Sequence, residues 1–110
     1  MKPEVLKALN GSISKWRAIA AKRSVDRGSE NCPLCLMFND DLDAEPCGGC
    51  PVYEKTGEPY CGNTPYMAWW QERDTPFPIK AKTKKQADLA KAELNFLISL
   101  RPKKPRKAPR

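Results

Sequence analysis

Five cysteines fall between positions 32 and 61, and the chain contains no histidine at all. Four of the five form two C-x2-C pairs, Cys32-Pro33-Leu34-Cys35 and Cys47-Gly48-Gly49-Cys50, separated by eleven residues. Two such pairs are a specific signal for zinc, which takes four soft donors in a tetrahedron with Zn–S bonds of about 2.3 Å. A C-x2-C turn places two sulfurs on one ion while its backbone N–H groups point at them. Glycine at 48 and 49 permits such a turn without a side-chain clash. The expected ligand set is therefore Cys32, Cys35, Cys47 and Cys50, holding one Zn2+ per chain. A shell of four thiolates leaves no position for water or substrate, so the expected metal is structural and not catalytic. The odd number of cysteines also argues against a closed set of disulfides.

Cys61 keeps the ligand set open. Val52-Tyr53-Glu54 and Pro59-Tyr60-Cys61 flank Lys55-Thr56-Gly57-Glu58, a pattern that predicts a short β-hairpin. That hairpin would return Cys61 close to Cys50, where it replaces one ligand of the second pair or remains a thiol. Three other chemistries compete with zinc: an iron–sulfur cluster, a redox pair at Cys47 and Cys50, and buried cysteines with no ligand. The compact C-x2-C-x2-C run of ferredoxins is absent, and so is the βαβ context of a redox pair.

Helical periodicity flanks this segment. Leu6, Leu9, Ile13, Trp16 and Ala20 form one apolar stripe over residues 3 to about 23, with Pro3 suited to the first turn and Gly28 as the stop. Gly11 and Ser12 interrupt the stripe. Thr64-Pro65 predicts a short helix carrying Tyr66, Trp69 and Trp70, ended by Asp74-Thr75-Pro76-Phe77-Pro78. Thr83-Lys84-Lys85-Gln86 fits a capping box opening a last helix over about 84–100, with Ala87, Ala90, Leu94, Leu97 and Ile98 on its apolar face. The fold class expected is a small, irregular, mainly-α domain: N-terminal, short central and C-terminal helices around a loop-rich zinc-binding module at about 29–63. Residues 1–100 form that single domain, and 101–110 are a disordered basic tail. Asp40, Asp41, Asp43 and Glu45 read as a solvated loop.

Charge narrows the function classes. The net charge is +7, yet the last ten residues carry six cations and no acid, leaving the first hundred at +1. Lys80, Lys82, Lys84 and Lys85 make a second basic cluster. Together with Arg101, Lys103, Lys104, Arg106, Lys107 and Arg110 they are the candidate nucleic-acid contacts, with affinity expected to fall steeply with salt. They are not interleaved with base-reading side chains on a defined face, so sequence-specific recognition is not expected. Tyr66, Trp69, Trp70 and Arg73 have two readings, as core aromatics or as a partner-binding surface. Without histidine, Ser-His-Asp triads and Cys-His nucleophiles are excluded, and no Gly-rich phosphate loop is present. No catalytic residue is expected. No apolar run is long enough to span a bilayer, and a reducing cytoplasm is the expected compartment.

The run Asn31-Cys32-Pro33-Leu34-Cys35, then Cys47-Gly48-Gly49-Cys50-Pro51-Val52-Tyr53, Thr56-Gly57 and Cys61-Gly62-Asn63-Thr64-Pro65-Tyr66 is preceded by Lys15-Trp16 and Asp26-Arg27-Gly28. This pattern resembles a family of small cysteine-rich proteins encoded by tailed bacteriophages. The resemblance covers about residues 12–70 and not the last helix or the tail. It implies a phage origin, hence the host cytoplasm, and a metal site, but no activity. The function expected is a non-enzymatic zinc-binding accessory protein that contacts nucleic acid through its basic C-terminal region. The alternative is a factor that binds and inhibits a host protein through the aromatic surface.

Overall fold

The computed structural model describes residues 1–38, 48–58 and 61–102. Five α-helices are formed: α1 (Pro3–Ala20), α2 (Pro33–Phe38), α3 (Pro51–Thr56), α4 (Pro65–Gln71) and α5 (Lys84–Ser99). A 3-10 turn, Gly28–Asn31, leads into α2. The long helices α1 and α5 pack on each other, α4 packs on α5, and α2 packs on α1. One core lies among them. It takes Leu9, Ile13, Trp16 and Ile19 from α1, Leu34 from α2, Val52 from α3, Trp69 from α4, and Ala90 and Leu97 from α5. The mainly-α architecture expected from the sequence is present.

α1 ends at Ala20, the last residue of its apolar stripe, a turn short of the expected end at about 23. Lys22 adopts a left-handed conformation at φ +62°. The Lys22 N–H then reaches the Ile19 carbonyl at 2.9 Å, and the Arg23 N–H reaches the Ala18 carbonyl at 2.8 Å. This pair of bonds is a Schellman stop, built on lysine where glycine is usual. Gly11 and Ser12 do not break the helix. A Cβ on Gly11 would lie 2.9 Å from Pro33 Cγ, so glycine here admits the Pro33 ring against α1. The buried Ser12 hydroxyl accepts the Leu34 N–H at 3.3 Å. The two residues that weaken the helical pattern are therefore the seat of the Cys32-Pro33-Leu34 turn.

The hairpin expectation is corrected at its first strand. Val52, Tyr53 and Glu54 lie in α3, not in a strand. The cause is local: Pro51 occupies the first helical turn, and Gly57 closes the helix in the left-handed region at φ +74°. Proline at the start and glycine just past the end is a helix signature. Pro59 and Tyr60, the other half of the expected hairpin, lie outside the described residues. Among the described residues the one β pairing is an isolated antiparallel bridge between Asp26 and Ile79.

The remaining helix starts follow their sequence signals. Thr64 Oγ1 accepts the Tyr66 N–H at 3.2 Å at the head of α4. At α5, Thr83 Oγ1 accepts from Gln86 N at 3.1 Å, and Gln86 Oε1 accepts from Thr83 N at 3.0 Å. Gln86 does more than close the capping box. Its Oε1 also accepts the Lys82 N–H at 2.8 Å, and its Nε2 donates to the Glu72 carbonyl, tying the end of α4 to the start of α5. No helix among the described residues is long and apolar enough to cross a membrane.

Replacing Lys22 by glycine removes the steric cost of a left-handed lysine at the end of α1. Lys22→Gly is expected to raise stability by up to about 1 kcal/mol, read as a higher urea midpoint with an unchanged slope. A lower midpoint would contradict the reading of this stop.

Candidate functional site

Asp26 is fully buried, and four donors converge on its carboxylate. Oδ1 accepts from Lys15 Nζ at 2.9 Å and from the Gly28 N–H at 2.8 Å. Oδ2 accepts from the Tyr66 hydroxyl and from Trp69 Nε1, each at 3.0 Å. The Asp26 main chain pairs with Ile79 in both directions, at 2.8 and 2.9 Å. One residue thus joins α1, the 3-10 turn, α4 and the segment before α5. Lys15 is nearly buried as well, with 7% of its side chain exposed, and its ammonium also donates to the Gly28 carbonyl at 3.3 Å. Trp16 supports the cluster from α1: Tyr66 and Trp69 both meet its ring edge-on, with centroids 5.7 and 5.4 Å away. Burial, and next the Asp26 charge, push the Tyr66 phenol above its ordinary range, so it stays a donor.

The first cysteine pair sits directly beside this cluster. The Cys35 N–H points at Cys32 Sγ across 3.3 Å, the arrangement of a C-x2-C turn around a thiolate. Ser12 Oγ lies 3.8 Å from the same sulfur. A hydrogen bond from the Cys35 side chain lowers the Cys32 thiol to about 6, helped by the Cys35 N–H and the Lys15 charge. Cys35 keeps its proton: the bond to Cys32, burial and the nearby Cys32 and Cys61 sulfurs all push it upward. The turn therefore favours the thiolate form at Cys32, which suits a metal ligand.

Cys32, Cys35, Cys50 and Cys61 line the same cavity, of about 540 Å³. Cys50 arrives as the residue capping α3, and Cys61 precedes α4 in a left-handed conformation at φ +62°. Cys47, expected as a ligand, lies outside the described residues, as do Asp40, Asp41, Asp43 and Glu45. Among the described residues, no three Cys, Asp or Glu side chains are gathered closely enough to hold a metal ion.

Glu93 of α5 lines this cavity too. Only 3% of it is exposed, and its Oε1 has no hydrogen-bond partner. Burial, and then the Cys32 charge, raise its carboxyl to about 8. The sequence carried a signal for it: Gln86, Ala90, Glu93 and Leu97 are the buried positions of α5, which places an acid in the middle of the apolar stripe.

The other expected site residues are divided by the fold. Trp69 is core, 1% exposed, and Tyr66 is half-buried against Asp26. Trp70 is half-buried, with its ring between Phe77 (ring centroids 5.1 Å apart) and the Arg73 guanidinium 3.5 Å from its ring centroid. Lys80, Lys82, Lys84, Lys85 and Arg101 are exposed. Lys82 pairs with Asp74 at 3.4 Å, Lys84 with Asp88 at 3.5 Å and Lys85 with Glu72 at 2.8 Å. Arg101 donates to Asn10 Oδ1 at 2.9 Å. Lys103, Lys104, Arg106, Lys107 and Arg110 lie outside the described residues.

Neither a family model, nor a curated protein, nor a solved structure matches this chain.

Two substitutions test the buried polar groups. Asp26→Asn leaves the Lys15 ammonium without its counter-charge and presents an amide N–H₂ to groups that are themselves donors. A loss of about 3–5 kcal/mol is expected, measured by chemical denaturation; a loss below about 1 kcal/mol would show that the cluster is not holding the fold. For Glu93 the folded carboxyl binds its proton more tightly than the unfolded one. Its contribution is therefore complete below the unfolded value, near 4.5, and is lost as pH rises through about 8. Glu93→Gln is expected to flatten the fall of melting temperature between pH 6 and pH 9; parallel curves for variant and parent would refute this.

Proposed function

We propose that this chain is a non-enzymatic zinc protein of the phage type its motifs resemble, stapled through Cys32, Cys35, Cys50 and Cys61. The observation that carries the reading is that these four cysteines, drawn from three separate stretches of chain, line one cavity beside the Lys15–Asp26 pair. Cys61 is the alternative ligand the sequence offered, and Cys47, outside the described residues, remains the other candidate for that position. Zinc would supply folding free energy by joining the α2 turn, the head of α3 and the segment before α4. Four thiolates would leave the ion no open position, so its role is structural. Lys15 and the Cys35 N–H would offset part of the negative charge of such a shell.

The cationic C-terminal region is the proposed contact to nucleic acid. Lys80 and the cations of 101–110 provide charge without a base-reading face, so the contact is to phosphate and is not sequence-specific. The ion pairs of Lys82, Lys84 and Lys85 do not preclude it, since exposed pairs are weak and exchange partners readily. A second reading, capture of a host protein, is favoured by one observation: exposed Phe77 and Arg73 pack on the half-buried Trp70 ring, with exposed Met67 on the same helix.

Native mass spectrometry of the parent and of five single Cys→Ser variants tests the metal. One zinc per chain is expected, lost or weakened in four of the five variants, and the variant that retains it identifies the cysteine outside the shell. Retention in Cys61→Ser with loss in Cys47→Ser would restore the two-pair ligand set. Absence of zinc from a folded parent would reject the proposal. For the nucleic-acid contact, affinity for single- and double-stranded probes is expected to fall linearly on a log–log plot against salt, and the slope to shrink when residues 101–110 are removed. An unchanged slope would exclude the tail.

A further inference from the structure

The cavity is larger than a metal ion requires. At about 540 Å³ it falls in the range of small-molecule sites, roughly 300–1,000 Å³. Away from the cysteines its walls are apolar and aromatic, with Tyr53, Tyr66, Met67, Trp70 and Leu97 among them. Its charged groups are Lys15, Asp26, Glu58 and Glu93. Lys15 and Asp26 neutralise each other at 2.9 Å, and Glu58 is exposed. Glu93 is different. It is 97% out of solvent, and Oε1 accepts from nothing. A buried acceptor without a donor is costly, and such groups in native proteins call for an explanation. Water is a poor one here, because a bound water needs two or more polar partners and these walls are largely apolar.

We propose that this cavity is a binding site for a small organic ammonium ion carrying an apolar or aromatic group, whose N–H donates to Glu93 Oε1. The class follows from the lining. An acceptor oxygen calls for a donor, and a bound ammonium supplies one together with the counter-charge that lets Glu93 release its proton to solvent. The aromatic walls accept the hydrophobic body and attract a cation at their ring faces. An anionic ligand would lack a counter-charge here, because Lys15 is already held by Asp26 and Gly28. Glu93 and the aromatic wall come from α3, α4 and α5, and none of these side chains is a proposed zinc ligand.

The test is titration of the full chain, as purified with its own metal, with 2-phenylethylammonium, followed by two-dimensional amide NMR. Two control probes are 2-phenylethanol, which keeps the ring and loses the charge, and ethylammonium, which keeps the charge and loses the ring. Saturable shifts are expected at residues around Tyr66, Trp70 and Glu93 with the first probe. Affinity is expected to drop about tenfold or more for the alcohol and for Glu93→Gln, whose dispersed spectrum would confirm its fold. Linear shifts without saturation, equal binding of the alcohol, or unchanged affinity in Glu93→Gln would each overturn the proposal. The wild-type comparison of ammonium with alcohol decides the matter even where the variant is unfolded.

Discussion

A single buried carboxylate organises this molecule. Asp26 collects an ammonium, a backbone N–H, a phenol and an indole N–H, and its own peptide groups bridge to Ile79. A charge held at 0% exposure is tolerable only when it is paired and its lone pairs are satisfied, and here four donors meet two oxygens. The consequence is positional. Lys15 fixes the rotation of α1, Tyr66 and Trp69 fix α4, and Gly28 fixes the turn that delivers Cys32. Hydrophobic contact alone is non-directional and would not set these elements in one register. The two edge-on contacts of Trp16 add shape to what the carboxylate aligns.

The cysteines sit where that alignment needs support. The segment from 29 to 63 contributes only Leu34, Cys50 and Val52 to the buried core among its described residues, while the long helices carry most of the rest. A chain of this size buries a limited share of its surface, and thin regions are commonly closed by metals or disulfides. In the proposed arrangement one ion performs the closure, joining the turn fixed by Asp26 to the heads of α3 and α4. Cys35 and, to a lesser degree, the Lys15 charge both lower the Cys32 thiol, so the polar cluster acts on the cysteine corner. Glu93 of α5 lines the same cavity. It is an acid in an apolar stripe, raised by burial, and its orphan oxygen marks the cavity as more than a packing defect.

Much of the helical architecture was legible in the residues. Thr64-Pro65 and Thr83–Gln86 carry their own start signals, and the caps formed as those signals require. Local chemistry with a unique geometric solution reads well from sequence. Three features did not. The stop of α1 is a Schellman turn on Lys22, a residue with no special tendency toward positive φ, so propensity pointed onward to Gly28. The expected strand at Val52–Glu54 is helix because Pro51 and Gly57 bracket six residues, and β-branched and aromatic residues in so short a run suit either state. Gly11 and Ser12 looked like helix weaknesses, but they are an inter-helix seat, visible only once Pro33 and Leu34 are placed on α1. The site was partly legible in the same sense. Lys15, Trp16, Asp26, Gly28, Cys32, Cys35, Cys50, Cys61 and Tyr66 all appear in the motif pattern, and all line one cavity. What the pattern does not reveal is that Asp26 is the residue tying them together. Asp26 follows a polar exit, and nothing local distinguishes a hub from a solvated turn.

X-ray absorption at the metal edge of the purified protein addresses the central claim most directly, because it reports the atoms bound to the ion without any substitution. Four sulfur neighbours at about 2.3 Å around zinc, with no nitrogen or oxygen in the shell, is the predicted result. Oxygen or nitrogen among the nearest atoms, or iron bridged by inorganic sulfide, would contradict the account.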